Sequence, residues 1–155
     1  MNLLILKKYD CKKIKNIHEV YLSAFSSSHF QTLKRKDFED FYRMDAKIFM
    51  LYIKKYLIGY AIFLINGDMA EILSIGIKKK YQKNGYGKIL IIEFLKKHKN
   101  IIKISLEVAA TNTAAISFYL SMGFYKTGLR KNYYLIRKGV NKGSKVDAII
   151  LEHTV

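Results

Sequence analysis

The segment over residues 81–88, with the sequence YQKNGYGK, combines the residue types that bind phosphate groups. It lies between two apolar runs, residues 71–77 and 89–95, in a pattern typical of a strand, a short loop and the start of a helix. Glycine lets the backbone approach a ligand closely, and the first turn of a helix presents unpaired N–H groups at its positive end. Because Lys83 and Lys88 add positive charge, the segment predicts one defined site for a phosphorylated ligand.

The spacing of the glycines separates this segment from the commonest phosphate-binding loops. It fits neither the GxxxxGKS/T of a P-loop nor the GxGxxG of a dinucleotide site. Gln82, Gly85 and Gly87 fit the pattern Q/R-x-x-G-x-G/A instead. A tight turn that only joins a strand to a helix would use the same glycines, so the loop alone does not identify the ligand.

A second pattern lies in residues 106–124, LEVAATNTAAISFYLSMGF, and the C-terminal stretches RKNYY and DAII extend it. The order and spacing of L-E-V, Asn, Ala, Tyr and Gly-Phe resemble those of the GNAT N-acetyltransferase superfamily, whose pyrophosphate loop has the Q/R-x-x-G-x-G/A pattern. Within that superfamily the chain looks most like the bacterial ribosomal-protein alanine N-acetyltransferases. The resemblance covers residues 69–151 well, whereas residues 1–68 match only in the order of their elements.

The resemblance implies a fold and a co-substrate. The fold is an α/β fold with a central, twisted, mixed sheet and helices on both faces. The co-substrate is acetyl-CoA, whose pantetheine arm pairs with the backbone of a strand and whose pyrophosphate lies in the glycine loop. A side chain at Gly85 or Gly87 is expected to occupy the space of that pyrophosphate. The residues expected to contact acetyl-CoA are Ile75, Gly76, Ile77, Lys83, Asn84, Gly85, Tyr86, Gly87, Lys88 and Asn112.

Two residues carry the catalytic roles that the resemblance implies. Glu107 is expected to be the general base that takes a proton from the acceptor ammonium. Tyr119 is expected to be the acid that protonates the departing thiolate. Each has a structural alternative: a strand carboxylate paired with a neighbouring lysine for Glu107, and a core tyrosine with a satisfied hydroxyl for Tyr119.

The acceptor implied by the resemblance is the N-terminal α-amino group of a protein, such as a ribosomal protein, acetylated by direct transfer in a ternary complex. Two segments depart from the family pattern. Residues 24–28 replace a Pro-Trp pair, and residues 135–146 form a longer loop with four basic side chains. Both departures lie on the acceptor side, where Tyr134 and Asp147 are also expected. Two alternatives therefore stay open: an enzyme for a small amine or a lysine side chain, and a non-catalytic basic module that binds RNA or the ribosome.

Composition bounds the class of protein. A chain of 155 residues, half of them hydrophobic, is predicted to form a single domain over residues 1–155. No run reaches the ~18 apolar residues of a membrane helix, and the N-terminus favours a first strand over a signal peptide. The single Cys11 excludes an internal disulfide, and these three observations together favour a cytoplasmic protein. No metal is predicted, because the four histidines lack metal-ligand spacing. They are His18, His29, His98 and His153.

The net charge of +16 raises the question of a polyanionic partner. A basic surface attracts nucleic acids through counterion release. However, the lysines are spread along the chain, no recognition motif accompanies them, and the abundance of Lys, Ile, Asn, Tyr and Phe follows A/T-rich codons. We therefore expect neither a sequence-specific nucleic-acid partner nor a membrane partner.

Periodicity and capping residues predict the elements that position these groups. Helices are expected over residues 11–25 with Asp10 as the cap, over 34–42, over 86–98, and over 113–122 with Asn112 as the cap and Gly123 after the last turn. Asn66-Gly67 predicts a hairpin. Strands are expected over residues 3–6, 47–53, 57–65, 69–77, 102–108, 124–129 and 146–152.

Overall fold

The computed structural model describes residues 1–6, 8–28, 30 and 32–155. These residues form a seven-stranded sheet and four α-helices. The strands are β1 (Asn2–Ile5), β2 (Lys47–Ile53), β3 (Tyr56–Asn66), β4 (Met69–Ile77), β5 (Lys103–Ala109), β6 (Tyr125–Leu135) and β7 (Lys145–Thr154). The helices are α1 (Cys11–Ala24), α2 (Arg35–Arg43), α3 (Tyr86–Lys97) and α4 (Thr113–Ser121), and a short 3-10 helix spans Lys79–Tyr81.

The sheet is mixed, with the strand order β1-β2-β3-β4-β5-β7-β6. Every neighbouring pair is antiparallel except β4 and β5, which run parallel. The predicted hairpin at Asn66-Gly67 joins β3 to β4, and Gly67 has the positive φ of 63° that such a tight turn favours. The crossover through α3 allows β5 to return parallel to β4.

Helices cover both faces of the sheet, which confirms the predicted fold class. On one face α3 and α4 pack against a core that includes Phe49, Phe63, Phe94, Leu106 and Tyr119. On the other face α1 and α2 pack against a second core that includes Ile14, Ile17, Phe38, Ile48 and Tyr60. β2 and β3 therefore bury both of their faces, as their apolar composition requires.

The predicted caps are present. The Asp10 carboxylate accepts hydrogen bonds from two main-chain N–H groups in the first turn of α1, and the Asn112 side chain accepts one from Ala115 in α4. Gly123 follows α4 with a φ of 84°, a conformation that favours glycine. None of the helices in the described part of the chain is long and apolar enough to cross a membrane.

The strand that differs most from its prediction is β6. β6 continues to Leu135 instead of ending at Leu129, and its pairing with β7 is interrupted between Arg130 and Tyr134. Within this interruption Asn132 has a φ of 52°. The second half of the strand was not predicted, because the alternation of side chains with a period of two does not continue across the kink.

Candidate active site

The centre of the sheet is open between β4 and β5. These strands pair only where Met69–Glu71 meets Lys103–Ser105. Beyond that point β4 pairs on one edge with β3, and β5 pairs with β7, so no described strand covers the facing edge of β4. A free strand edge binds an extended ligand through main-chain hydrogen bonds.

The edge of β4 beside this opening contains the predicted contact residues Ile75, Gly76 and Ile77. The side chains of Ile75 and Ile77 pack against the core under α3, which leaves their main chain for a ligand. Both interpretations of these isoleucines, core packing and backbone contact, are therefore compatible. A Cβ at Gly76 would lie 2.8 Å from Cε1 of Tyr60, so this position has no room for a side chain.

The glycine loop follows β4 after the short 3-10 helix and leads into α3. Lys83 and Gly85 have positive φ values of 62° and 76°, and Gly85 is the N-cap of α3. No described residue accepts a hydrogen bond from the main-chain N–H groups of residues 83–88. These donors lie at the positive end of a twelve-residue helix, beside the exposed Lys83 and Lys88, so the loop has the chemistry of a phosphate site.

Two side chains of the loop fold it internally. Asn84 Nδ2 donates hydrogen bonds to the main-chain oxygens of Tyr81 and Gln82, so the donor that Asn84 offers a ligand is its main-chain N–H. Gln82 donates to the oxygen of Ile77 at 2.9 Å and to that of Ala24 at 3.3 Å. Gln82 thus connects the end of β4, the end of α1 and the loop. Its place as the first residue of the Q/R-x-x-G-x-G/A pattern is the signal that points to it.

Gly87 has a packing reason to lack a side chain, and its N–H stays available, while the expected overlap with the pyrophosphate stays a prediction. A Cβ at Gly87 would lie 3.1 Å from Cζ of Phe118 in α4. The missing side chain therefore allows α3 to pack closely against α4. At Gly85 a Cβ would meet nothing within 4 Å, so it would project into open space in front of the helix. Tyr86, the remaining loop residue, packs its ring against the core.

The end of β5 supplies the other side of the opening through α4. Asn112 caps this helix, and the buried Tyr119 packs its ring against Phe118 and Phe124. No described residue bonds the Tyr119 hydroxyl, yet no described buried polar side-chain atom lacks a partner. That oxygen therefore reaches accessible surface. Burial raises the pKa of Tyr119 above its ordinary value, so its hydroxyl stays protonated at neutral pH.

Glu107 lies on β5 beside the opening, with 18% of its side chain exposed. Its Oε1 is 2.6 Å from Nε of Arg130 on β6. A half-buried carboxylate needs such a partner. The partner is an arginine two strands away. The structural alternative for Glu107, a pair with a neighbouring lysine, is therefore wrong about the type of the partner residue.

Three further groups surround this carboxylate, and sequence reasoning assigned a role to only one of them. Burial raises the pKa of Glu71, the negative charge of Glu107 raises it further, and Arg130 lowers it. The charge of Glu107 also raises the pKa of Tyr133. Burial and then the charge of Glu107 raise the pKa of Tyr134 to about 12, and the Tyr134 hydroxyl donates a hydrogen bond of 3.4 Å to the Glu107 carbonyl.

Asp147 holds the kink of β6 in place. Its Oδ1 accepts a hydrogen bond of 2.8 Å from the main-chain N–H of Asn132, the residue with positive φ. Beyond the kink, Tyr134 packs its ring against Phe30, and Phe30 forms an isolated bridge with Ile136. The connection between α1 and α2 therefore reaches the end of β6, and these contacts bound the region where an acceptor was expected.

The described residues contain no group of three or more side chains able to hold a metal ion. His29, one of the four histidines considered above, lies outside them. Cys11 is exposed at the start of α1. The polar groups beside the opening are main-chain N–H groups, two carboxylates, a guanidinium and tyrosine hydroxyls.

Comparison with known proteins identifies relatives for this arrangement. A family model described as "Acetyltransferase (GNAT) family" matches residues 14–124. The ribosomal protein bS18-alanine N-acetyltransferase of Escherichia coli is 35% identical over 96 residues, which are 60% of this chain and 61% of that protein. The matched segment thus spans less than two thirds of that relative.

Solved structures show the same fold. The crystal structure of the ribosomal-protein-S18-alanine N-acetyltransferase from Escherichia coli superposes with a TM-score of 0.82 at 24% identity, over 99% of this chain and 94% of that one. A Bacillus subtilis acetyltransferase in complex with CoA superposes with a TM-score of 0.74 at 19% identity, over 99% and 97% of the two chains.

Proposed function

This chain belongs to the acetyltransferase (GNAT) family, whose members use acetyl-CoA, and on that premise we propose that it acetylates the N-terminal amino group of a protein. The acceptor class is suggested by the bS18-alanine N-acetyltransferase of Escherichia coli, the relative with 35% identity. A ribosomal protein that begins with alanine is accordingly the first acceptor to test. We also propose that residues 1–155 form one N-acetyltransferase domain.

The observation that carries the proposal is the opening between β4 and β5. On one side it offers the free edge of β4 and the unpaired N–H groups of residues 83–88. On the other side Glu107 lies beside it on β5, and Tyr119 lies on the helix that follows β5. A phosphorylated, amide-containing acyl donor fits the first side, and the second side carries the groups that acyl transfer to an amine requires.

Glu107 is proposed to take the proton that the acceptor ammonium must lose before its nitrogen can attack. A main-chain N–H at the edge of β4 is proposed to stabilise the negative charge that develops on the carbonyl oxygen, an effect of roughly 3–4 kcal/mol per well-placed donor. Acetyl-CoA supplies the acetyl thioester, whose C–S bond breaks as the new C–N bond forms.

Tyr119 is proposed to protonate the leaving thiolate. Its hydroxyl stays protonated at neutral pH because burial raises its pKa. It also reaches accessible surface without a described hydrogen-bond acceptor, so its proton is free to be donated. As the amide forms, its nitrogen loses a second proton, which replaces the one that Tyr119 gave to the thiolate. After one cycle Glu107 therefore holds the first proton, and its release to solvent restores the site.

The proposal is tested by the position of the acetyl group on the product. The protein is incubated with acetyl-CoA and a panel of peptides that start with different residues and contain an internal lysine, and the products are sequenced by tandem mass spectrometry. Acetyl on the α-amino group, with alanine-first peptides preferred, is the expected result. Acetyl on lysine, or only on added small amines, would contradict the proposed acceptor and favour the alternatives.

The expectation of a cytoplasmic location stays a prediction, as does the absence of a sequence-specific nucleic-acid partner.

A further inference from the structure

Three charged side chains from three different strands lie on one face of the sheet beside the opening. Glu71 on β4 pairs in register with Ser105, which lies two residues before Glu107 on β5 and therefore on the same face. Arg130 on β6 reaches Glu107 across β7, with Nε 2.6 Å from Oε1. The cluster thus contains two carboxylates and one guanidinium, with Tyr133 and Tyr134 as its titratable neighbours.

The charges of this cluster do not balance. Glu107 has Arg130 as its ion-pair partner, and Glu71 has none within 4 Å in the described part of the chain. Both groups nevertheless interact electrostatically with Glu71, because Glu107 raises the pKa of Glu71 and Arg130 lowers it. When all three groups are ionised, the cluster has a net charge of −1, and the exposed Glu71 can accept a second cation.

Arg130 is held loosely. Its side chain is 57% exposed, its Nε lies 2.6 Å from Oε1 of Glu107, and its Cζ lies 5.5 Å from the centroid of the Tyr133 ring. The β6 ladder is interrupted directly after Arg130, at the kink held by Asp147. An ion pair with a half-exposed partner contributes little to stability, so a competing cation can displace this guanidinium at little cost.

We infer that Arg130 is a displaceable counter-ion at the acceptor subsite, where it occupies Glu107 until the protonated amine of the acceptor enters and then moves toward Glu71. This inference rests on the proposed function. Arg130 is a positioning residue in this account: it orients the Glu107 carboxylate before the acceptor binds. The entering ammonium completes the charge of the cluster, so the site takes a cationic amine.

The presence of Arg130 also limits how tightly the ammonium is bound before it loses its proton. Removing the guanidinium leaves two uncompensated carboxylates, which hold the ammonium more strongly in the ground state. Tighter ground-state binding lowers KM, and it lowers kcat as well because the proton becomes harder to remove. A purely structural arginine would have the opposite effect on KM, since its loss would disorder the site.

The experiment compares Arg130→Gln, Arg130→Lys and wild type with acetyl-CoA and the alanine-first peptide of the panel. We expect Arg130→Gln to lower the peptide KM roughly five-fold, the scale of an exposed ion pair, and to lower kcat. Arg130→Lys keeps the charge and is expected to stay within about two-fold of the wild-type KM. Lys131→Gln is the matched control, because it removes one exposed positive charge at the next position of β6.

A binding measurement separates the ammonium from the rest of the peptide. Calorimetry on the CoA-bound protein uses the free peptide and the same peptide with its N-terminus acetylated. Arg130→Gln is expected to bind the free peptide roughly five-fold more tightly than wild type and the acetylated peptide equally well. An unchanged or raised KM in a folded Arg130→Gln variant, or a gain for both peptides, overturns this inference alone. A wild-type protein that acetylates no peptide of the panel overturns the proposed function as well.

Discussion

The Glu107 carboxylate is half-buried in a strand and also lies beside the opening between β4 and β5. If it is the general base, Glu107→Gln removes proton acceptance and keeps the shape of the side chain. We expect kcat to fall by ~10²–10⁴-fold at neutral pH with CoA affinity unchanged. The loss should shrink above pH ~8, where more of the acceptor amine is already neutral.

Glu152→Gln provides a control for that measurement. Glu152 is also a strand carboxylate in an ion pair, with Lys103 at 3.2 Å, but its partner lies near the start of β5. Its replacement is expected to leave kcat unchanged. Turnover of Glu107→Gln within a few-fold of wild type at neutral pH would make Glu107 a structural residue.

Tyr119 allows a clean separation of chemistry from packing. Tyr119→Phe keeps the ring contacts with Phe118 and Phe124 and removes only the hydroxyl, which no described residue bonds. We expect kcat to fall clearly and Tm to change little, as measured by steady-state kinetics and thermal denaturation. Tyr125→Phe, at an exposed tyrosine on β6, is the matched control. A large loss of Tm with normal turnover would identify Tyr119 as a core residue only.

The sequence predicts single residues where one local segment fixes their surroundings. Asn112 follows a strand and precedes a helix, so its role as a cap is readable from its neighbours. Arg130 was not predicted as the partner of Glu107, because the two meet only through the register of β5, β7 and β6. Glu71 was not predicted as a neighbour of Glu107 for the same reason. Contacts between distant strands depend on pairing that one sequence does not specify.

At the scale of elements, the position of Gly85 at the start of α3 predicts the effect of replacing it with valine. A valine there has no neighbour to clash with, but it strains a backbone with φ of 76° and projects into the space in front of the helix. We expect Gly85→Val to lose most of its CoA affinity in calorimetry while the protein stays folded.

Gly67 supplies a control with the same backbone strain. It has φ of 63°, a Cβ would also meet nothing within 4 Å, and it lies in the hairpin between β3 and β4. Gly67→Val is expected to lower Tm to a similar extent and to bind CoA as wild type does. Equal CoA binding by both variants would remove the ligand role from the glycine loop.

The elements themselves were largely predictable, since caps, a hairpin dipeptide and periodicity mark their ends. The kink in β6 was not. Asn132 adopts its positive φ because Asp147, fifteen residues later, binds its N–H. Nothing in the stretch RKNYY indicates this partner, so the length of β6 and the placement of Tyr133 and Tyr134 had to come from the structure.

At the scale of the whole molecule, we expect the free energy of unfolding to fall in alkali because the protein buries tyrosines. Burial raises the pKa of Tyr60 well above its ordinary value of about 10, and its hydroxyl is 2.7 Å from Oγ of Ser74. Below pH ~10 Tyr60 is protonated in both states, so its contribution is fully present. Above that pH only the unfolded chain releases the proton, and the free energy of unfolding falls as pH rises.

Urea denaturation at pH 9 and pH 11 tests this, with Tyr60→Phe as the reference. The many lysines also lose charge in this range, but they do so equally in both proteins. We therefore expect the stability difference between wild type and Tyr60→Phe to shrink at the higher pH. A constant difference would mean that Tyr60 ionises as readily in the folded protein as in the unfolded chain.

The central claim is that the opening between β4 and β5 transfers acetyl from acetyl-CoA to a protein N-terminus, and the release of free CoA thiol measures it most directly. The protein is mixed with acetyl-CoA and an alanine-first peptide, and thiol is followed over time beside the same mixture with the peptide N-acetylated. We expect steady thiol release with the free peptide, one thiol for each acetylated peptide, and only background with the blocked one. Equal release from both mixtures, or none above background with any peptide, would contradict the account.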